Sequence, residues 1–171
     1  MKHMAEELCG TEISSTQMSR CAKILDGEIV KFRNRPLGQI EYLFLDAQYE
    51  KFLYEGCVRP LAVLKAIGVN KEGYREVLDV SCSFSEARVH FRFFLDSLMK
   101  RGMNGTYLVT SDDHLGLKAA LKAALPSVPW QRSLSHLAQN AGVYAPSKLM
   151  KAELCQSVRE IYQASDRQEA E

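Results

Sequence analysis

Apolar and polar positions change period several times along the chain, and each change marks an expected element. In "SSTQMSRCAKILDGEIVKFR" the apolar residues Met18, Cys21, Ile24 and Leu25 recur near helical spacing, after Ser14, Ser15 and Thr16, which suit a helix N-cap. The preceding "MAEELCG" ends in a glycine fit for a helix C-terminus. Residues 1 to about 31 therefore read as helical pieces. Joined by Gly-Thr-Glu-Ile, they form either a helix-turn-helix exposing Ser19, Arg20 and Lys23 or a plain helical hairpin. Pro36 and Gly38 in "RNRPLGQ" then break the pattern.

Three strand signals follow: "IEYLFLDAQY" (Ile40 to Tyr49), "LAVLKAIGV" (Leu61 to Val69) and the alternating "YREVLDVSCSF" (Tyr74 to Phe84). "NKEG", Asn70 to Gly73, is the expected turn between the last two. From Ser85 the period becomes helical: "SEARVHFRFFLDSLMKRG" sets Val89, Phe91 or Arg92, Leu95, Leu98 and Met99 on one stripe, with Ser85 as cap and Gly102 as stop. A fourth strand is expected at Thr106 to Thr110, a helix from about Leu115 to Leu125, and a short fifth strand in "SVPWQRSLSH". A last helix begins near Ser147, and the polar tail "DRQEAE" frays. Three consecutive strands, then helix, strand, helix, strand, helix, make an α/β fold with a mixed sheet flanked by helices, the ribonuclease H-like order.

Composition narrows the class without naming it. The 171 residues are 46% hydrophobic and 25% charged, enough for one domain with a real core. A net charge of +1 gives no global attraction for nucleic acid, so DNA contacts would rest on local patches. No run approaches the ~18 apolar residues of a membrane span, and the first residues lack the apolar centre of a secretory signal. A cytoplasmic protein without a membrane partner is the expectation. The five cysteines are scattered and never spaced C-x-x-C, against both a disulfide framework and a zinc ribbon.

Candidate chemistry sits where apolar runs stop at carboxylates. Asp46 is expected at the end of the first strand and Asp112 at the end of the fourth, and the ends of neighbouring strands form one rim. Two close carboxylates repel unless a divalent cation lies between them, and oxygen-only ligands favour Mg2+ or Mn2+. Two such ions about 3.5–4 Å apart would serve in-line phosphoryl transfer. The alternative is that Asp46 caps a strand and Asp112 caps the next helix. Asp113, at the turn into that helix, reads as a cap, with His114 beside it. His136 could contact a phosphate or order the end of the fifth strand.

"YLFLDAQYEK", "AVLKAIGVNKEGYREVL", "FLDSLMKRGMNG", "LVTSDDHLGLKAAL" and "WQRSLSHLAQN" together resemble, in order and spacing, the bacterial Mutator-type insertion-sequence transposases. "GTEISSTQMSRCAKILDGEIVKFRNRPL" is similar to the end of that family's DNA-binding region. The resemblance implies a DDE transposase in which three acidic residues hold two Mg2+ or Mn2+ ions, cutting transposon terminal repeats and joining them to target DNA. By this resemblance Asp46 and Asp112 are the first two catalytic metal ligands. Arg20 and Lys23 on the N-terminal helices, with Arg132 and His136, are the candidate DNA contacts. His114, Gly116 and Leu117 match the motif, whereas Asp113 replaces a small residue, Ser133 a cysteine, Leu53 an arginine and Phe91 a tryptophan.

The resemblance also implies an organisation: residues 1–35 as a remnant of a helix-turn-helix region, 36–145 as a partial ribonuclease H-like core, and 146–171 as the start of a helical insertion with a polar tail. The third acidic residue, a glutamate, would follow that insertion, so the chain is expected to be truncated before the last catalytic helix and inactive alone. Glu153 and Glu160 share one face of the last expected helix, and Glu153 reads as an exposed helix charge rather than a substitute ligand. Two other functions remain open. One is an inhibitor that binds DNA, forms a homo-oligomer or pairs with full-length transposase; the other is a non-functional remnant exposing Phe91, Phe93 and Phe94.

Overall fold

The computed structural model describes residues 14–84, 88–166 and 168. The chain divides into two compact units, residues 1–36 and 37–171. In the first, helix α1 (Ser15–Asn34) starts with a capping box: Gln17 N donates to Ser14 Oγ at 3.2 Å, and Ser14 N donates to Gln17 Oε1 at 2.8 Å. It ends at Arg35, extended as a residue before proline should be. None of its side chains is buried, and Ile24, Leu25, Ile29 and Val30 are exposed. The expected helix in "MAEELCG" and the turn after it lie outside the described residues, as does Ser85.

The second unit runs β1 (Ile40–Tyr54), β2 (Cys57–Asn70), β3 (Arg75–Ser83), α2 (Arg88–Lys100), β4 (Leu108–Ser111), α3 (Leu115–Ala124), β5 (Trp130–Arg132), α4 (Leu134–Val143) and α5 (Lys148–Gln163). The five strands form one sheet in the order β3-β2-β1-β4-β5. β1 and β2, and β2 and β3, pair antiparallel; β4 joins β1, and β5 joins β4, in parallel. This mixed sheet, with helices inserted only after the third strand, is the ribonuclease H-like arrangement expected from the element order.

Strand alternation decides what is buried. Leu43 and Leu45 of β1, Leu64 and Ala66 of β2, and Val109 of β4 point to one face, where they meet Phe91, Phe94, Leu95 and Leu98 of α2 and Leu117, Ala120 and Leu121 of α3. Gly68 keeps this packing close, because a Cβ there would lie 2.8 Å from Ile40 Cγ2 and 3.0 Å from Leu78 Cδ1. The α2 stripe is rotated from the one read in the sequence: Val89 and Met99 are exposed while Phe94 is buried. The expectation of an exposed Phe91–Phe94 patch is thereby overturned for two of its three members. Phe91 and Phe94 are 1% and 5% exposed, and only Phe93 faces solvent.

Three departures have local causes. β1 and β2 extend well past Tyr49 and start before Leu61, because Glu55 (φ 50) and Gly56 (φ 77) close a tight turn of left-handed residues. Glu50, Lys51 and Arg59 along that hairpin mask its strand signal. α4 was not anticipated; Leu134, Leu137, Ala138 and Ala141 recur at helical spacing, but small and polar residues between them weaken the stripe. The "NKEG" turn forms as expected, with Gly73 N donating to Asn70 O at 2.9 Å and Gly73 at φ 85.

Candidate active site at the β1 and β4 edge

Register brings Asp46 and Asp112 together. Leu45 of β1 lies opposite Ser111 of β4. Asp46 and Asp112 are the next residues along each strand, so Asp46 points away from the buried face and Asp112 follows directly where β4 ends. Asp46 lies within β1 rather than at its end, a correction to the sequence reading; it is β4 that stops there. Ser111 fixes this corner: Trp130 Nε1 donates to its Oγ at 2.9 Å, its Oγ donates to Asp112 O at 2.8 Å, and its carbonyl accepts Ser133 N at 2.6 Å.

The two carboxylates have different surroundings. Oδ1 of Asp112 is shut off from solvent. Asp46 is half-exposed and meets two basic groups, with Lys65 Nζ at 3.5 Å from Oδ2 and His136 Nε2 at 3.6 Å from Oδ1. Lys65 stands directly across from Asp46 in β2 and also donates to Gln48 Oε1. His136 is held through its other nitrogen, with Nδ1 at 2.8 Å from Ser133 Oγ, and that hydroxyl is 3.0 Å from Ser135 Oγ.

Asp113 does not cap α3. His114 is the N-cap, its Nδ1 accepting Leu117 N at 3.4 Å while its ring packs on Phe91 at 5.1 Å. Asp113 instead accepts from Lys118 Nζ at 2.8 Å and faces Arg132 NH1 at 3.8 Å. The Lys118 hydrogen bond holds its carboxyl below the usual aspartate range; desolvation opposes it, and the charges of Lys118 and Arg132 add to the lowering. Because α3 is capped by an imidazole, capping also fails to account for Asp112.

Of the two expected DNA contacts here, His136 on α4 meets Asp46, whereas Arg132 on β5 faces Asp113. Arg20 and Lys23 are exposed on α1, in the other unit. Glu153 is an exposed side chain on α5. Among the described residues no group of three or more His, Cys, Asp or Glu is gathered to hold a metal ion. Two carboxylates still suit a hard divalent cation, since Mg2+ binds through one or two of them and completes its shell with water and phosphate oxygens. Sequence reasoning missed Lys65 and Lys118. A lone lysine interrupting the apolar run "LAVLKAIGV" was the signal for the first.

The whole chain, residues 1–171, matches the family described as "Transposase, Mutator family". The chain belongs to this family. It is 48% identical over 168 residues to the transposase for insertion sequence element IS406 of Burkholderia multivorans, covering 97% of this chain and 43% of that protein. It is 39% identical over 171 residues to the ISRM5 transposase of Rhizobium meliloti, covering 99% of this chain and 43% of the relative. The chain therefore spans less than half the length of these Mutator-family relatives. Among solved structures, the HTLV-2 integrase catalytic core in complex with magnesium aligns over 74% of this chain and 89% of its own, at 11% identity and a TM-score of 0.33. That likeness is too distant to carry weight beside the Mutator match. Among the described residues no helix is long and apolar enough to cross a membrane.

Proposed function

We propose that this chain carries the first two acidic ligands of a DDE-type DNA transposase whose complete form cleaves transposon ends and joins them to target DNA. The observation that supports this reading is the register of β1 and β4, which pairs Leu45 with Ser111, the residues immediately before Asp46 and Asp112. Asp46 and Asp112 would hold Mg2+ or Mn2+, which supplies Lewis-acid activation of an attacking oxygen and charge stabilisation at phosphorus. Ser133 orients His136 toward Asp46, and Arg132 offers a guanidinium to a backbone phosphate beside them. Arg20 and Lys23, exposed on α1, are proposed to contact the terminal repeats.

On this reading residues 1–35 belong to a helix-turn-helix DNA-binding region, 36–145 to the ribonuclease H-like catalytic core, and 146–171 to a helical insertion. The proposed partners are DNA and a longer transposase or a second copy, and the proposed location is the cytoplasm. Calorimetric titration tests the site. Mn2+ should bind the purified chain weakly, and Asp46→Asn or Asp112→Asn should abolish the binding. Wild-type binding of Mn2+ that survives both substitutions would overturn the assignment. A second reading, an inhibitor that occupies transposon ends, is favoured by the exposed Arg20 and Lys23; absence of a gel shift with the terminal repeat at low salt would remove it.

A further inference from the structure

Lys65 has a position that neither packing nor folding explains. Its neighbours Leu64 and Ala66 are buried against the helices, whereas Lys65 points to the opposite face from the middle of a central strand. The register places it directly across from Asp46, with Nζ 3.5 Å from Oδ2 and a second contact to Gln48. Both members of the ion pair are about one-third exposed, at 34% and 38%, so the pair adds little to stability. What it does is offer a positive charge to Asp46, one of the two candidate carboxylates.

Resting on the assignment of Asp46 and Asp112 as metal ligands, we infer that Lys65 is a two-state residue. Without a divalent cation its ammonium is the counter-ion of Asp46; once a cation takes Asp46, it is released to bind a DNA backbone phosphate at the same site. The chemistry follows from like charges. A cation at Asp46 would lie close to Lys65 and repel it, and a phosphate is the group that both can share. Gln48 and the long side chain let the ammonium move without disturbing the strand. His136, on the other oxygen of Asp46, is held through Nδ1 by Ser133 Oγ, whereas Lys65 reaches Asp46 on a flexible four-carbon stem.

Two measurements with opposite signs test this on the full chain. In titrations without DNA, Lys65→Met should bind Mn2+ roughly threefold to fivefold more tightly than wild type, since the competing ammonium is gone. In binding to a short DNA duplex, the slope of log K against log salt should fall by about 1 in Lys65→Met when Ca2+ is present, and should not change in EDTA. Lys65→Arg, which keeps the charge, should retain the wild-type slope in Ca2+. An equal fall with and without Ca2+, or no fall in Ca2+, would overturn the switch. If wild type binds Mn2+ and Lys65→Met binds it no more tightly, the inference alone fails. If wild type binds no Mn2+, the metal assignment fails and takes the inference with it.

Discussion

Asp112 and Asp113 are adjacent carboxylates with opposite surroundings. One has an oxygen closed to solvent; the other is exposed between Lys118 and Arg132. The depressed pKa of Asp113 favours the folded state above the ordinary carboxylate range, and that contribution is lost as pH falls through its lowered folded value. An NMR titration should find its midpoint below that of an ordinary aspartate, and Lys118→Met should move it back up, because the Lys118 hydrogen bond is the largest cause. His90 behaves in the opposite sense. Burial lowers its pKa, and its Nε2 is enclosed without a hydrogen-bond partner among the described residues. Folding therefore disfavours its proton, so stability is present above the ordinary histidine range of about 6.5 and is lost as pH falls below it. Urea midpoints should drop between about pH 7.5 and pH 5.5 in wild type and drop less in His90→Gln.

At the scale of elements, the hairpin joining β1 and β2 carries strain that one substitution would relieve. Glu55 is the one non-glycine residue with positive φ among those described, in a turn that favours Asn-Gly. Glu55→Asn should raise stability by about 0.5–1 kcal/mol in a denaturant titration. Gly68→Ala should do the reverse. Its Cβ would collide with Ile40 and Leu78 in the core, at a cost of about 1–3 kcal/mol. Strand and helix order was legible in the sequence because each element buries a face and so writes its period into the apolar residues. The outer half of the β1–β2 hairpin and α4 were not legible, for the same reason: Lys51, Leu53, Val58 and Arg59 are exposed, and α4 buries only Ala138 and Gly142. The site was half legible. Asp46 and Asp112 interrupt apolar runs, which draws attention to each alone, but Lys65 becomes significant only through cross-strand register, which no local pattern encodes.

For the whole molecule, the sheet and its helices are joined at one end by a buried ion pair, Arg101 NH1 to Asp79 Oδ2 at 3.1 Å, with both side chains 10% exposed. It ties the residue after α2 to the middle of β3, and Asp79 Oδ1 also accepts Val80 N at 2.8 Å. Removing one partner strands the other charge, so Arg101→Ala should cost about 3–5 kcal/mol and lower the melting temperature of the whole second unit. Trp130, the only tryptophan, hydrogen-bonds to Ser111 next to Asp112, so its fluorescence should report that unfolding at the site itself.

The register of β1 against β4 also sets which changes in chain length the protein can survive. A residue lost between Tyr42 and Leu45 would turn Asp46 into the core and a leucine out of it, so a single-codon deletion there should be more harmful than almost any substitution. Residues added at Glu55–Gly56, ten positions along the same strand pair, would lengthen a solvent-facing tip and leave the pairing of Leu45 with Ser111 untouched. Natural length variation and engineered tags alike should therefore collect at that tip and be absent from the four residues that β4 reads.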